Sequence, residues 1–352
     1  MGGALEPQCI SRSPLGHDDD ENSISARYRM NMFARRLGQG QFSKAYTCWR
    51  KDEEETYYAM KVFAERQDAC EHAVNEVEVL KLLGQHARIV QLIESEGHAE
   101  DVWPVYVVLE LCEGGQLFDR LMEKGHYEED EGSQVVQQLL DAVEFMHGRG
   151  VMHRDLKLEN VLLVSPDNDV DIKVCDFGIA KMAEPIPCQD SATPDSVMPL
   201  VMRRGVPRSS SVKGSHHYLA PEVIRQEEYG PAIDIWAVGV IAFGILAGSL
   251  PFSSKDDDLR ELYSKIVYCD LEFAGEVWEE KSQLCKDFIE SLLIIDPQRR
   301  PSAKDAMHHQ WLAQDENCDL DANEDDDEGE EFGIGCYAPG ASPINFGFGG
   351  AL

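Results

Sequence analysis

The run His153-Arg154-Asp155-Leu156-Lys157-Leu158-Glu159-Asn160, followed sixteen residues later by Asp176-Phe177-Gly178, restricts this chain more than any other feature. A fold that uses both strings must bring two loops together. One candidate base, Asp155, then shares a space with two candidate metal ligands, Asn160 and Asp176, both oxygen donors of the kind Mg²⁺ takes. Lys157 supplies positive charge that can neutralise a γ-phosphoryl group in motion. Transfer of a phosphoryl group needs this grouping. Any one of these residues read alone has a structural meaning, Asp155 as a turn former for example; the set in this order does not reduce to that.

Two upstream features fit the same chemistry. Leu37-Gly38-Gln39-Gly40-Gln41-Phe42-Ser43-Lys44-Ala45 is a glycine-rich turn between two predicted strands, where backbone amides can approach phosphates closely. It departs from the G-x-G-x-x-G-x-V form at Ser43 and Ala45, and a plain hairpin is the alternative reading. The string G-x-x-x-x-G-K-[ST] is absent, which disfavours a P-loop nucleotidase. Lys61 interrupts an apolar strand and needs an anionic partner if buried. Glu76, on the following predicted helix, can provide it and turn Lys61 toward the α- and β-phosphates. Glu78 competes for that role but points to another helical face.

Predicted strands cover 32–37, 44–50, 57–63, 90–96 and 105–109, with one helix at 69–83 between them. After the break at Glu113-Gly114-Gly115 the pattern is helical: 117–123, 132–148, 218–225, 234–247, 258–265, 282–294 and 303–311. A strand-rich half thus precedes a helical half. The stretch 178–215, with five prolines, reads as a long functional or disordered loop. No internal repeat is found.

On these motifs residues 28–312 resemble a eukaryotic protein kinase of the serine/threonine type. Ala220-Pro221-Glu222, Asp234-Ile235-Trp236-Ala237-Val238-Gly239 and Asp296-Pro297-Gln298-Arg299-Arg300-Pro301 extend the match. The resemblance implies an α+β, two-lobed fold: a β-rich N-lobe over about 28–109, a hinge at 110–113 and a helical C-lobe over 114–312. Disordered tails are expected at 1–27 and 313–352. It implies ATP and Mg²⁺. The nucleotide would lie among Leu37, Gly38, Gly40, Ser43, Ala45, Lys61, Gln116 and Asp176, with the backbone of Glu110 to Cys112 holding adenine, Ala59 and Leu162 sandwiching the ring, and Leu109 as gatekeeper. Glu222 and Arg300 would form a buried ion pair under the substrate platform, Asp234 would anchor the 153–160 loop, and Leu80, Phe177 and His153 would stack in an apolar column. Ser215 would bridge Asp155 and Lys157.

Within that family Gly114-Gly115-Gln116-Leu117-Phe118-Asp119 and Gly248-Ser249-Leu250-Pro251-Phe252 resemble the calcium/calmodulin-dependent group, which often acts on sites with an upstream Arg. Gln116 replaces the usual Glu there, whereas Glu159 is retained to read a basic residue. Arg154 is a cation in want of a phosphate, Ser211 is the expected activating phosphosite, and Lys181 a second ligand for it. Arg208, three residues before Ser211, makes the loop itself look like a basophilic substrate, through autophosphorylation or another kinase. The rival reading from a different class is a catalytically silent pseudokinase scaffold. A small-molecule kinase is disfavoured by the platform motifs.

Net charge is −33, and eleven acids with no Lys or Arg fall after residue 313, leaving more than half of the charge on the central body. Such a field repels nucleic acid and anionic membranes and favours basic protein partners; bare solubility is the alternative reading. The acidic 315–331 run is unlike a basic amphipathic helix, so calmodulin is not expected to bind through it. Ten scattered cysteines without a CxxC pair point to reduced thiols, Cys175 being the one beside the nucleotide. The start lacks a secretory pattern and 235–248 is too short to span a bilayer, so an intracellular, cytoplasmic or nuclear protein is expected.

Overall fold

Alternating side chains give the first sheet two different faces. The computed structural model describes residues 23–30, 36–53, 56–97, 105–182 and 215–313. A short helix α1 (Ile24–Arg27) leads into β1 (Tyr28–Met30), β2 (Gly38–Gln39), β3 (Ser43–Arg50) and β4 (Tyr57–Phe63). Helix α2 (Gln67–Leu83) follows, then β5 (Leu92–Glu96) and β6 (Tyr106–Glu110). The strands pair antiparallel in the order β1-β3-β4-β6-β5, with β2 on β3. Val107 and Leu109 of β6 face α2 and the main core, whereas Tyr106 and Val108 face a second core with Ile24, Tyr28, Cys48 and Met60. Period-two alternation makes that division. On β4 it puts Ala59, Lys61 and Phe63 on the α2 side, opposite Met60.

Residues 23–27, read above as tail, are corrected by this second core. Ser23 caps α1, Ile24 is fully buried, and Arg27 pairs with Glu94, which also accepts from Tyr28 at 3.1 Å. The rest of that tail, the tail after 313 and most of the predicted strand at 32–37 lie outside the described residues; 36–37 are not strand.

Beyond β6 come β7 (Gly115–Gln116), α3 (Leu117–Lys124), α4 (Glu129–Gly148), β8 (Val151–Met152), β9 (Val161–Leu163), β10 (Ile172–Val174) and β11 (Lys181–Met182). Then follow α5 (Pro221–Ile224), α6 (Ala232–Ala247), α7 (Leu259–Tyr268), α8 (Glu276–Glu279), α9 (Gln283–Leu292) and α10 (Ala303–Met307). The fold is α+β, with a sheet-rich N-terminal lobe and a helical C-terminal lobe. Every residue from Ile233 to Leu246 is buried, so α6 forms the axis of the helical lobe and shows no polar face. It ends at Gly248 (φ 71°), where a Cβ would sit 2.2 Å from the Gly125 carbonyl oxygen, so only glycine fits. Helix α4 starts at Glu129, three residues earlier than the periodicity predicts, because Glu128 and Glu131 form a capping box of acidic residues. The predicted helix 218–225 is split: a 3₁₀ turn covers Ser215–Tyr218, and Pro221 opens α5.

Candidate active site

Strands β9 and β10 explain the sixteen-residue spacing. They pair antiparallel with Val161 opposite Val174, so the residues flanking the hairpin meet at one end. Cys175 N–H donates to the Asn160 carbonyl at 2.9 Å, and Asp176 follows directly. Asn160 and Asp176 are thereby held side by side by the hairpin register.

The 153–160 loop is fixed from beneath by Asp234, in the first turn of α6 and 1% exposed. Its carboxylate accepts the backbone N–H of His153 and of Arg154, each at 2.9 Å, and meets His147 Nε2 at 2.9 Å. Burial opposes the charge of Asp234, but His147 and the Arg154 amide outweigh it and hold the carboxyl below its ordinary range. Arg154 sits at φ 70°, a left-handed conformation costly for a residue with a side chain, and these two amide bonds restrain it. Because His153 Nδ1 accepts the Asp155 N–H (3.3 Å), its Nε2 donates to the Cys175 carbonyl (3.0 Å). The His153 ring meets Phe177 edge-on at 4.9 Å; both are buried, as is Leu80.

Asp155 Oδ2 accepts from Lys157 Nζ at 2.6 Å and from Asn160 Nδ2 at 3.2 Å, while the same Asn160 nitrogen binds the Asp155 carbonyl at 2.7 Å. Burial pushes the Asp155 carboxyl up, and Lys157 opposes that push. Lys61 Nζ lies 2.6 Å from Glu76 Oε1 and 3.1 Å from Asp176 Oδ1. Burial works against the Lys61 ammonium, but Asp176 and Glu76 prevail and hold it above the ordinary lysine range. Lys61 in turn drives the half-exposed Asp176 carboxyl down to about 2. Glu76 is 1% exposed; burial lifts its carboxyl, against the pull of Lys61. Glu78 lies on an exposed part of α2.

These residues fit a magnesium-bound nucleotide. Asp176 is ionised across the neutral range, and the Asn160 amide nitrogen is committed to Asp155, which leaves its oxygen for a cation. Among the described residues no group of three or more His, Cys, Asp or Glu forms a metal site. A magnesium ion held by one or two protein oxygens takes its other ligands from phosphates and water. A Cβ built on Gly38 meets nothing within 4 Å, and one on Gly40 meets only Ser43 O at 3.8 Å, so the turn presents open backbone.

The remaining candidates lie on or next to the strands of the first sheet, on β7 and β9, and in the connector between β6 and β7. Gly38 pairs with Ala45 across β2 and β3, Leu37 N–H binds the Ala45 carbonyl, and Ser43 pairs with Phe63. Ala59 pairs with Leu109, and Leu162 with Gln116. In the connector, Glu110 N–H binds Gln91 O, and Glu113 and Gly114 donate to Val164 and Leu163, which leaves out Leu111 and the buried Cys112. The Glu110 side chain points away from this role, bound to Lys173 (2.8 Å) and to Gln91 N–H (2.7 Å). Cys175 is half-buried, and desolvation pushes its thiol up, which makes it a poor nucleophile.

Lower in the helical lobe, Arg300 and Glu222 form a two-bond ion pair, both bonds 2.7 Å. Arg154 stacks over Tyr229 at 5.9 Å, and its buried Nε has no hydrogen-bond partner among the described residues, beside a cavity of about 20 Å³. Glu159 Oε2 is likewise buried without a partner among the described residues. Lys181 lies on β11, half-buried. Ser211 and the Ser215 side chain lie outside the described residues.

Sequence reasoning missed two participants. His147 holds Asp234, and its signal is only its place in the last turn of α4. Asn75 binds three carbonyls after Asp176, and its signal is a carboxamide directly before Glu76.

A family model described as protein kinase domain matches residues 32–312. Calcium/calmodulin-dependent protein kinase type 1 of Macrobrachium nipponense is 37% identical over 301 residues, 84% of this chain and 79% of the relative. The protein of that name from Caenorhabditis elegans is 38% identical over 79% of this chain and 72% of its own length. Human serine/threonine-protein kinase H1 is 34% identical over 82% of this chain and 62% of its own.

Proposed function

The chain belongs to the protein kinase family and is a serine/threonine protein kinase, and from that premise we propose that it transfers the γ-phosphoryl group of Mg-ATP to Ser and Thr hydroxyls of proteins with basic residues near the acceptor. The observation that carries this reading is the position of Lys61 Nζ, 2.6 Å from Glu76 and 3.1 Å from Asp176, beside a loop in which Asp155, Lys157 and Asn160 are mutually bonded. The catalytic domain is taken as 28–312, acting inside the cell; no helix among the described residues is long and apolar enough to cross a membrane.

In this mechanism Lys61, oriented by Glu76, holds the α- and β-phosphates. Asp176 and the Asn160 oxygen would hold Mg²⁺, which when bound would neutralise charge on the phosphates. Asp155 orients the acceptor hydroxyl and takes its proton as the oxygen–phosphorus bond forms and the bond to ADP breaks. Lys157, 2.6 Å from Asp155, offsets charge on the phosphoryl oxygens. The backbone from Glu110 to Cys112 binds adenine between Ala59 and Leu162, under Leu37, Gly38, Gly40, Ser43 and Ala45, with Gln116 near the ribose.

The partnerless Glu159 oxygen supports recognition of a basic substrate side chain, and the orphaned Arg154 nitrogen supports docking of a phosphate from Ser211, with Lys181 as second ligand. Calmodulin control through the acidic tail is not part of the reading.

Turnover of [γ-³²P]ATP on a basic peptide, beside Asp155→Asn and Lys61→Met, tests the activity. Incorporation by the parent chain that is lost in both variants supports the reading; a parent chain no faster than Asp155→Asn makes it a scaffold. Mass spectrometry of the same samples reads Ser211, and equal occupancy in parent and Asp155→Asn excludes autophosphorylation.

A further inference from the structure

Helix α2 contacts the segment after Asp176 through a residue that the motif-based account of the site leaves out. Asn75 Nδ2 lies 3.0 Å from the Phe177 carbonyl oxygen, 3.2 Å from that of Gly178 and 2.9 Å from that of Ala180. Three carbonyls converging on one point make a site that only a donor can satisfy, and a carboxamide nitrogen brings two N–H bonds to it. The His72 imidazole of α2 also reaches the Gly178 backbone, whereas Asn75 spans all three carbonyls. The backbone held this way is constrained: Asp176 sits at φ 69°, and a Cβ on Gly178 would be 3.0 Å from His72 Nδ1.

Neighbouring positions of α2 complete the arrangement. Glu76 binds Lys61, and Lys61 binds the Asp176 carboxylate. His72, one turn before Asn75 and Glu76, stacks on Phe42 of the glycine-rich turn at 3.7 Å. The Asp176 carboxylate is therefore tied to α2 through Lys61 and Glu76, and the backbone that follows it is tied to α2 through Asn75. One tie fixes the side chain and the other the backbone next to it, and a carboxylate aimed at a cation needs both its position and its rotation set.

We propose that Asn75 is the positioning residue that aims the Asp176 carboxylate at the metal of the nucleotide complex, coupling the placement of α2 to metal affinity. This rests on the kinase reading above. Alanine at 75 removes the donor and frees the Phe177–Ala180 backbone. Aspartate at 75 sets a negative group against three carbonyls and disturbs it further.

The test is calorimetric titration of the full chain with ADP, with and without Mg²⁺, for the parent, Asn75→Ala and Asn75→Asp, with melting curves to establish folding. The expected result is metal-free ADP affinity within about twofold of the parent, while the gain on adding Mg²⁺ shrinks roughly 10- to 100-fold, the range for losing a group that orients a metal ligand. Aspartate should lose more than alanine, and kcat should fall with KM for the peptide unchanged. A parental Mg²⁺ gain in both folded variants overturns the proposal, as does an equal loss with and without metal, which marks a merely structural residue. A parent chain that binds no ADP at all overturns the kinase reading and this proposal together.

Discussion

Arg300 and Glu222 face each other through two parallel bonds of 2.7 Å, and neither side chain exceeds 1% exposure. The guanidinium also donates to the carbonyls of Ile294, Ala232 and Ile295 and lies 5.0 Å from the Trp236 ring. It joins the segment after α9 to the start of α5 and α6. Arg300→Ala strips Glu222 of its partner in a dry site, a loss of about 3–5 kcal/mol. For a domain of this size that amounts to a fall in Tm on the order of 10 °C, read by calorimetry. Arg300→Lys keeps the charge but not the fork and should recover less than half of the loss.

Lys61→Met should separate catalysis from folding. On the proposed mechanism the variant loses its hold on the nucleotide phosphates, and kcat/KM should drop by roughly 10²–10³, the usual effect of removing one preorganised electrostatic partner. Glu76 is then buried without its cation, and its carboxyl, already lifted by burial, rises further and protonates more readily. A neutral Glu76 limits the stability loss, so the Tm should fall by only a few degrees. Peptide phosphorylation and melting curves on the same preparation check both halves.

The legibility of the site follows from how each residue acts. Asp155, Lys157, Asn160 and Asp176 act by being particular chemical types at fixed spacing, and a hairpin of three-residue strands converts that spacing into proximity. Lys61 was visible because a charge on the buried face of a strand demands a partner. Asn75 and His147 were not, since a carboxamide and an imidazole on helices are ordinary until their acceptors are known. Helix α1 was missed because four residues after a polar run give no period, and only the apolar face of β3, β4 and β6 turned away from α2 explains why Ile24 is buried. The capping box at Glu128 was missed because the common pattern begins with Ser or Thr.

Asp234→Asn probes how the 153–160 loop keeps its shape. The carboxylate accepts two backbone N–H groups and meets His147, so an amide must turn its NH₂ toward at least one donor. Arg154 at φ 70° then loses the restraint that holds an unfavourable backbone conformation. The substitution should cost about 2–4 kcal/mol of stability, the scale for disrupting hydrogen bonds to a buried charge. Activity below the melting range should fall at least about tenfold, because Asp155 follows Arg154 directly. A double variant with His147→Ala should be less than additive in Tm, since both changes break the same node.

Activity as a function of pH should show an acid limb set by Asp155. Burial raises its carboxyl above the ordinary aspartate value of about 4, and Lys157 restrains that rise. The base must be ionised to take the hydroxyl proton, so kcat/KM falls as pH drops through the raised value. Removing the restraint has a definite sign. In Lys157→Ala the carboxylate keeps its burial and loses its cation, so its pKa moves higher and the limb shifts to higher pH, while the plateau drops through lost charge on the phosphoryl group. Lys157→Arg retains the cation and should leave the limb near its parental position. The measurement is kcat/KM for a basic peptide from pH 5 to 8.5 for all three proteins; an unmoved limb in Lys157→Ala would assign it to a group other than Asp155.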